Sequence, residues 1–501
     1  MWVLRHVATA PDLRGSLNLE TENVAVGNDK PREACGIFGA YIPGHEAARA
    51  AFFGIFALQH RGQESAGIAA SNGTSLSLTA EVGLVSQVFE EKDLDDLQGH
   101  LAIAHTRYST TGSNRRQNAQ PIMAYGPRGA IAVGHNGNVI NAMKLREFCR
   151  EEYGSEFTGS TDSEVIAELF AKTPGDDWFE ISDKVMSLLN GAYSLIMMSK
   201  HELIAVRDPL GVRPLCLGKL DGGWVFASES AALDNLGAEF VRELEPGEVM
   251  IVNLDGIKNW IWPKASSTHK MCIFEQIYFA RPDSVLEGSL AYENRMQMGA
   301  IAYRENPVEA DLVIGIPDSS TPHAAGFAAE ANIPYAEGLV RNRYVGRTFI
   351  QPDQYMRDIG VKTKFNAMKQ VIGGKRIVVV DDSIVRSTTI RHVVKMLRDA
   401  GAAEVHVRVA APPIKSTCHF GVDMATLDQL IAANYTVEEI CEMIDADTLC
   451  YLSLEGLEEA VSAGRNEYCR GCFTGKYPID VQLEMDKLRM DRLVPEPVAA
   501  S

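Results

Sequence analysis

A run of four apolar residues followed by two aspartates places the strongest constraint on the fold of this chain. The apolar residues, 377–380, are mostly β-branched and predict a strand that is buried on both faces, as in a parallel sheet. The small hydroxyl residues that follow predict a helix from about Thr389 to Arg398. Because ligands bind at the carboxyl ends of strands in open α/β sheets, we expect Asp381 and Asp382 to face a binding crevice.

The same segment also predicts a class of ligand. Its helix start offers free backbone N–H groups and hydroxyl donors that suit a phosphate. Adjacent carboxylates repel each other unless hydroxyl groups or a divalent cation share their charge, which suits a ribose diol with Mg²⁺ nearby. The alternative is that residues 381–383 only cap a helix after a core strand. The order of all the residues 377–389 favours a phosphorylated ribose.

Residues 377–389 closely resemble the segment that binds 5-phosphoribosyl-1-pyrophosphate (PRPP) in the type I phosphoribosyltransferases. The resemblance implies that Asp381 and Asp382 hold the ribose hydroxyls and that the loop after them binds the 5-phosphate. Ser387 stands where that loop usually has glycine, although serine keeps a phosphate donor. The loop residues implied in PRPP binding are Ser383, Arg386, Ser387, Thr388 and Thr389.

Length and charge limit the possible functions. A chain of 501 residues, 46% hydrophobic and 23% charged, can bury large cores and predicts two or more domains. Its net charge of −18 argues against a nucleic acid or an anionic membrane as the main partner. No apolar run reaches the ~18 residues that span a bilayer, and residues 1–20 lack the apolar segment of a secretory signal. We therefore expect a cytoplasmic protein whose nine cysteines stay reduced.

The sequence pattern divides the chain into regions. Residues 1–34 are polar and aperiodic and predict a flexible leader. Residues 35–264 interleave short strand-like segments with helical patterns at 46–58 and 162–170, which predicts a layered α+β domain. Residues 265–475 alternate strands with helices, which predicts a parallel α/β sheet, and 476–501 predict a helical tail. The strand-like segments are 35–42, 100–105, 130–133, 192–198, 224–227, 248–252, 312–316 and 377–380.

Cys35 is the candidate nucleophile of the first domain. A cysteine at an amino terminus combines a thiol of pKa about 8.5 with an α-amine of pKa about 7.7–8.0, and so holds a nucleophile and a base in one residue. Cleavage between Ala34 and Cys35 would create that terminus, and an unstructured leader makes the bond accessible. The segment 35–39 alone is more typical of a buried strand.

Three further segments supply polar groups. Arg107 follows a strand and can bind a carboxylate through two parallel N–H bonds. Asn136 and Gly137 follow another strand and offer an amide side chain and a backbone N–H, the donors that an oxyanion requires. Asp162 begins a helix, where an ordinary N-terminal acid is the alternative. Together these groups predict recognition of an amino acid with a side-chain amide.

This set, with residues 59–67 (Gln-His-Arg-Gly-Gln-Glu-Ser-Ala-Gly), resembles the N-terminal-nucleophile glutaminase domain of class II glutamine amidotransferases. That domain is an αββα sandwich. By the resemblance, Cys35 attacks the glutamine amide and its α-amine shuttles the proton, which gives a glutamyl thioester and ammonia. The other roles implied are the glutamine carboxylate for Arg107, its ammonium for Asp162, and the oxyanion for Asn136 and Gly137.

Two loops of the second half complete the implied PRPP site. Residues 315–321 follow a strand and can bring N–H groups to a pyrophosphate, or form a Pro-containing turn. Residues 341–348 are basic and resemble the mobile loop that closes over PRPP and excludes water, with a solvated charged loop as the alternative. The family places PRPP contacts at Asp318, Ser320 and Arg347, and one Mg²⁺ per subunit at Ser319, Asp381 and Asp382.

A glutaminase joined to a PRPP fold, from Cys35 to about Tyr477, is similar to the glutamine PRPP amidotransferase family. The implied reaction converts PRPP, glutamine and water to 5-phosphoribosylamine, glutamate and pyrophosphate in purine biosynthesis. The family also implies feedback by purine nucleotides and a homo-oligomer, a tetramer. The alternatives are another class II amidotransferase or a PRPP-sensing regulator that kept the fold.

A pair of cysteines near the C-terminus has metal-ligand spacing. Cys469 and Cys472 form a C-x-x-C pair, which alone is ambiguous between zinc, an iron–sulfur cluster, a redox pair and chance. With Cys272 and Cys418 they resemble the ligands of the family's subfamily that has a cleaved propeptide and one [4Fe–4S] cluster per subunit. Its role would be structural, since no step of the reaction transfers electrons.

Overall fold

The first domain is a sandwich of two antiparallel sheets. The computed structural model describes residues 35–108, 114–342, 365–424, 426–461 and 467–481. One sheet has the strand order β11-β9-β10-β1-β4-β2-β3, and the other has the order β13-β12-β8-β7-β6-β5. The strands are β1 (Gly36–Tyr41), β2 (Ser65–Ser71), β3 (Leu76–Val82), β4 (Leu101–Arg107), β5 (Ile122–Gly126), β6 (Gly129–Val139), β7 (Gly191–Met198), β8 (Leu203–Arg207), β9 (Cys216–Leu220), β10 (Gly223–Ala227), β11 (Glu239–Glu243), β12 (Glu248–Asn253) and β13 (Gly256–Ile261).

Helices cover the outer face of each sheet. Consecutive residues of β1 are apolar because both faces of the strand are covered. Ile37 packs between the two sheets, whereas Phe38 packs against the helices. Both faces of the strand are therefore buried, and the layers follow the order αββα. The helices are α1 (Ala47–Ala57), α2 (Val85–Val88), α3 (Glu91–Asp96), α4 (Ala142–Tyr153), α5 (Asp162–Lys172), α6 (Trp178–Leu188) and α7 (Ser230–Asn235), with a 3₁₀ turn at Arg116–Asn118.

The second domain is built on a parallel sheet with the strand order β16-β19-β20-β21. Two short antiparallel pairs, β14 with β15 and β17 with β18, flank it. The strands are β14 (Val285–Leu286), β15 (Ser289–Leu290), β16 (Leu312–Gly315), β17 (Leu339–Arg341), β18 (Phe365–Ala367), β19 (Arg376–Asp381), β20 (Glu404–Val409) and β21 (Thr448–Tyr451).

The helices of the second domain pack on both faces of its parallel sheet. The helix after β19 buries Ile390, Val393, Val394 and Leu397, which lie on one helical face. The described helices are α8 (Ala291–Glu305), α9 (Thr321–Ala331), α10 (Lys369–Ile372), α11 (Thr388–Asp399), α12 (Ile431–Asn434), α13 (Val437–Met443), α14 (Leu454–Val461) and α15 (Gly471–Thr474), with a π-helix at Glu275–Phe279 and a 3₁₀ turn at Leu427–Gln429.

The predicted order of an αββα sandwich and a parallel α/β domain is confirmed. The prediction that the 135–138 segment follows a strand is wrong, because β6 runs on to Val139 and pairs with β7 from Ala132 to Val139. Arg107 likewise ends β4 rather than following it. Of the predicted helical tail, 476–501, the described part 476–481 forms no helix. Within the described ranges, no helix is long and apolar enough to cross a membrane.

A cluster of carboxyl groups lies where the two domains meet. Glu243 Oε2 of the first domain accepts a hydrogen bond of 2.6 Å from the backbone N–H of Glu287 in the second. His269 bridges Glu287 and Glu245 at 2.8 and 3.0 Å. Burial raises the pKa of Glu243 to about 7, the Glu287 carboxylate acts in the same direction, and the Arg207 guanidinium opposes both. Folding therefore favours the protonated form of Glu243.

This pKa predicts a pH-dependent stability. Because the ordinary pKa of 4.5 rises to about 7 on folding, the contribution of Glu243 is full below 4.5 and is lost as pH rises through about 7. Glu243→Gln, which stays neutral, should gain stability over the native chain between about pH 5 and pH 8, by about 1–3 kcal/mol. Thermal melts across this range check it, with Glu239→Gln, exposed on the same strand, as the control. A difference that is independent of pH would contradict the prediction.

Candidate functional site

Cys35 lies directly before β1 and is buried in the first domain, with 5% of its surface exposed. Its Sγ donates a weak hydrogen bond of 3.6 Å to the carbonyl of Tyr108. Burial raises the pKa of the thiol to about 11, and a backbone hydrogen bond at Tyr108 and the Arg107 guanidinium partly oppose this, whereas the Asp162 and Glu64 carboxylates add to it. A thiol with this pKa needs an additional cation or base to become a nucleophile near neutral pH.

Arg107 is the last residue of β4 and is buried. The loop at 62–64 holds the end of this strand, since Glu64 N–H donates to the Arg107 carbonyl at 3.0 Å and Thr106 Oγ1 donates to the Gly62 carbonyl at 2.6 Å. Arg107 is close enough to Cys35 to lower the pKa of its thiol. The structure therefore brings this predicted guanidinium to the predicted nucleophile.

Asn136 carries the most informative side chain of the site. It is completely buried, and neither Nδ2 nor Oδ1 has a hydrogen-bond partner among the described residues. An unpaired buried polar group costs about 1–3 kcal/mol, so such a group is rare unless a ligand satisfies it. Its neighbour Gly137 has a φ of 148°, and a Cβ there would collide with the carbonyl oxygen of Ala192. These two positions therefore combine a free amide with a backbone that only glycine fits.

Asp162 begins helix α5 and is 4% exposed. Its Oδ2 accepts a hydrogen bond of 2.9 Å from Val139 N–H, and its Oδ1 accepts one of 3.0 Å from Ser163 N–H. An ionised carboxylate has about four acceptor positions, which leaves capacity for an ammonium group. Its charge acts on the pKa of Cys35, so it lies beside the same site. Asp162 can therefore interact with the N-terminus of helix α5 and also bind the ammonium group of a ligand.

Two buried histidines near this site were given no role from the sequence. His105 Nε2 lies 3.0 Å from the carbonyl of His135 and joins β4 to β6. Burial lowers the pKa of His105 to about 3 and also lowers the pKa of His135, so both rings are neutral near pH 7. Gln120 Oε1 accepts the His135 N–H at 2.8 Å, and Gln120 Nε2 donates to Ser163 Oγ at 3.0 Å. These bonds fix the position of β6, the strand that carries Asn136. No local sequence pattern links Gln120 to this strand.

The second centre lies at the carboxyl ends of β16 and β19, which pair in parallel. Asp381 and Asp382 are both buried there. Ser320 Oγ donates to Asp381 Oδ1 at 3.1 Å and accepts the Asp382 N–H at 3.0 Å, while Ser319 Oγ donates to Asp382 Oδ2 at 2.5 Å. Ser383 Oγ donates to Asp382 Oδ1 at 2.7 Å. The structure thus brings the loop at 318–320 to the two acids, and hydroxyl donors share their charge.

The N-terminus of helix α11 lies directly after these acids. Ser387 precedes the helix with a φ of 66°, a left-handed conformation that is costly for a residue with a Cβ, and its own side chain makes no capping hydrogen bond. The first-turn N–H groups at Thr388 and Thr389 are thus placed for an anion. Arg386 binds Gln429 Oε1 at 2.9 and 3.0 Å, and Asp318 accepts Arg341 Nη1 at 3.1 Å. The predicted contact Arg347 lies outside the described residues.

The four predicted cluster cysteines lie near one another. Cys272 and Cys469 form a backbone bridge, and the Cys472 carbonyl accepts N–H bonds from residues 415 and 416, close to Cys418. Burial raises the pKa of Cys472 well above its ordinary value, and the other three thiols raise it further. Among the residues that the structure describes, no three His, Cys, Asp or Glu side chains are placed to share one metal ion. The thiols are therefore neighbours without forming a site for a single ion.

Each half of the chain matches a known domain family. Residues 105–235 match the family of glutamine amidotransferase domains, and residues 288–418 match the family of phosphoribosyl transferase domains. These ranges contain Arg107, Asn136 and Asp162 in the first half, and Asp381 and Asp382 in the second.

Curated relatives match over nearly the whole chain. An amidophosphoribosyltransferase of Synechocystis is 48% identical over 94% of this chain and 96% of the relative. One of Archaeoglobus fulgidus is 47% identical over 89% of this chain and 98% of the relative. The solved glutamine PRPP amidotransferase of B. subtilis, complexed with ADP and GMP, superposes with a TM-score of 0.84 at 42% identity and covers 90% of this chain and 99% of its own. A second solved structure, of the allosteric regulatory enzyme of purine biosynthesis, gives a TM-score of 0.84 at 43% identity, covering 89% of this chain and 97% of its own.

Proposed function

The chain belongs to the amidophosphoribosyltransferase family, and on this premise we propose which of its residues perform each half of the reaction. It functions in purine biosynthesis as a glutamine-dependent pentosyltransferase whose substrates are glutamine and PRPP. The reaction releases glutamate and pyrophosphate and forms 5-phosphoribosylamine. The glutaminase domain supplies the nitrogen, and the phosphoribosyltransferase domain receives it.

In the glutaminase half, we assign the nucleophile to Cys35. Its thiol attacks the glutamine amide and forms a thioester, Asn136 Nδ2 and the Gly137 N–H donate to the oxyanion, and ammonia leaves. Arg107 binds the glutamine carboxylate, and Asp162 binds its ammonium. The observation that carries this proposal is the buried, unpaired amide of Asn136, because an incoming oxyanion would give that amide its partner.

Removal of residues 1–34, which lie outside the described residues, would complete this half. With the peptide bond at Cys35 intact, burial holds the pKa of the thiol at about 11. Cleavage would leave an α-ammonium on the same residue, which lowers the pKa of the thiol through its charge and, once deprotonated, accepts the thiol proton. The leader therefore acts as a block on the nucleophile.

In the phosphoribosyltransferase half, Asp381 and Asp382 bind the ribose hydroxyls, and the N-terminus of α11 binds the 5-phosphate. Two carboxylates and the Ser319 hydroxyl fit Mg²⁺, which takes few protein ligands and completes its coordination with water and substrate phosphates. When bound, the ion would neutralise charge on the pyrophosphate. Ser320 positions the two acids, and the remaining predicted PRPP contacts stay predictions: Ser383, Arg386, Ser387, Thr388, Thr389, Asp318 and Arg347.

The four neighbouring cysteines fit a [4Fe–4S] cluster. Four thiolates are the ligand set that such a cluster would take, and the effect of Cys272, Cys418 and Cys469 on the pKa of Cys472 supports this assignment. Its charge would lower the high pKa values that burial gives the thiols. We assign it a structural role, joining Cys272 and Cys418 to the C-terminal pair Cys469 and Cys472.

Two further properties are part of the proposal. Purine nucleotides inhibit the enzyme, since the related B. subtilis enzyme was solved with ADP and GMP and nucleoside monophosphates share the ribose 5-phosphate of PRPP. The protein is a cytoplasmic homo-oligomer, with a glutaminase domain at 35–264, a phosphoribosyltransferase domain at 265–475 and a tail at 476–501. Sedimentation with and without nucleotide would measure the oligomeric state.

The function is tested by pyrophosphate release from PRPP by the purified chain. We expect release that requires glutamine or a high ammonium concentration, with one glutamate formed per pyrophosphate when glutamine is the donor. A PRPP-sensing regulator would bind PRPP without forming either product. Another class II amidotransferase would form glutamate without pyrophosphate.

Leader removal and the cluster are expected to be measurable together. Anaerobically purified protein should have an intact mass that begins at Cys35 and a broad visible absorbance from iron–sulfur charge transfer. Cys469→Ser should abolish the absorbance, whereas Cys450→Ser, which changes a thiol outside the four, should keep it. A colourless native chain in which all four thiols react with an alkylating reagent would contradict the cluster, and retention of residues 1–34 in a fully active chain would contradict the cleavage.

A further inference from the structure

One buried carboxylate of the second domain binds two arginines of the first. Glu275 is the first residue of the π-helix, and its side chain is completely buried. Its Oε2 accepts a hydrogen bond of 2.6 Å from Arg61 Nη2, and its Oε1 accepts one of 3.3 Å from Arg213 Nη1. Both guanidinium groups are also fully buried. These contacts join two distant parts of the first domain through a single residue of the second.

Arg61 is connected through its neighbour Gly62 to the part of the glutamine site that holds Arg107. Its Nε donates to Glu229, so the guanidinium is held between two carboxylates. The next residue, Gly62, packs directly on the end of β4, since a Cβ there would lie 2.6 Å from Arg107 N. A shift of Arg61 would therefore move the backbone that carries Arg107.

Arg213 leads to the oxyanion side of the same site. Its Nε and Nη2 both donate to the carbonyl of Phe420, at 3.0 and 2.9 Å. The following Gly421 lies against the backbone of Gly137, where a Cβ on Gly421 would be 2.8 Å from the Gly137 carbonyl carbon. Asn138 Nδ2 donates to the His419 carbonyl at 2.9 Å and fastens the same segment to β6. Arg213 thus clamps residues 419–421 of the second domain onto the strand that carries Asn136.

We propose that Glu275 is a positioning residue for glutamine hydrolysis, which holds the carboxylate-binding side and the oxyanion side of the glutamine site in register. The proposal rests on the function assigned above to Arg107, Asn136 and Gly137. Removing the charge of Glu275 leaves two buried guanidinium groups short of a partner, and each would move toward other acceptors. A displacement of about 1 Å in a catalytic group costs about 100-fold in rate. The second domain is therefore part of the glutaminase site without contacting glutamine.

Glu275→Gln tests this inference, because it keeps the shape of the side chain and removes its charge. We expect glutamine-dependent pyrophosphate release to fall by about 10- to 100-fold, with a higher KM for glutamine and a lower kcat. Ammonia-dependent release should stay within about twofold, since the PRPP site is separate, and the visible absorbance should be unchanged. A role only in domain packing would lower both activities together.

Ser284→Ala is the matched control. Ser284 belongs to the same domain contact, where its Oγ donates to Glu229 at 2.6 Å, but its side chain has no bond to either arginine of the network. Both activities should remain in this variant. Arg61→Lys is the second test variant, because it keeps the charge and loses the fork that spans both carboxylates, and we expect the same loss with glutamine alone.

The inference is overturned if Glu275→Gln and Arg61→Lys keep full glutamine-dependent activity or lose both activities equally. It is also overturned if neither variant folds, since Glu275 would then be a folding determinant. Failure of the proposed function is separate: it would appear as glutamine turnover in Cys35→Ala. Loss of turnover in Cys35→Ala with full activity in Glu275→Gln would overturn only the positioning role.

Discussion

Replacing Cys35 by alanine is expected to abolish glutamine-dependent pyrophosphate release from PRPP, by about 10⁴-fold or more. The substitution removes the sulfur that forms the thioester in the proposed mechanism. Release with a high ammonium concentration should stay within about twofold, because ammonia enters the second half of the reaction directly. Parallel assays of pyrophosphate with both nitrogen sources measure the two activities.

Cys216→Ala is the matched control for this prediction. Cys216 is also a buried thiol of the first domain, where its Sγ donates to the Ala227 carbonyl at 3.2 Å. Its replacement should cost some stability and keep glutamine-dependent activity. Equal loss with glutamine and with ammonium in Cys35→Ala would refute the division of labour between the two domains.

Asp381→Asn should impair the PRPP half of the reaction and leave glutamine hydrolysis intact. The amide keeps the volume of the side chain and can still accept the Ser320 hydroxyl bond, but it loses the charge that holds a ribose diol and a divalent cation. We expect pyrophosphate release to fall about 10²- to 10³-fold with either nitrogen source. Hydrolysis of glutamine in the absence of PRPP, measured as glutamate, should be retained.

Asp311→Asn controls for the loss of a carboxylate from this domain. Asp311 precedes β16 at the opposite end of the sheet, where it binds Arg376 at 2.9 Å, away from the crevice. It should keep both activities. If Asp381→Asn kept pyrophosphate release with ammonium, the assignment of the ribose site would fail.

Local patterns predicted the parts of the fold that are determined locally. Four apolar residues before two acids are sufficient to predict β19, and the hydroxyl run after them predicted α11 to within a residue at each end. The same logic failed at Asn136 and Gly137, because a His-Asn-Gly-Asn segment is typical of a turn. Gly137 instead lies within a buried strand and has a φ of 148°. The sequence thus suggested these residues as candidates, and their assignment stays a prediction, whereas their backbone context was predicted wrongly.

Contacts between distant residues left no pattern in the sequence. Arg61 and Glu275 are 214 positions apart, and Arg213 and Phe420 are 207 apart. A periodicity within one helix or strand carries no information about such pairs. A single sequence therefore does not show which partners these buried arginines take.

The place of β1 in its sheet sets the timing of maturation in the proposed scheme. This strand lies between β10 and β4, so the residue after the scissile bond is fixed only when the chain through Ala227 has folded. The leader would then depart from a folded first domain rather than from an unfolded chain. Nitrogen release would begin only after that domain is assembled, and a partly folded glutaminase half would consume no glutamine.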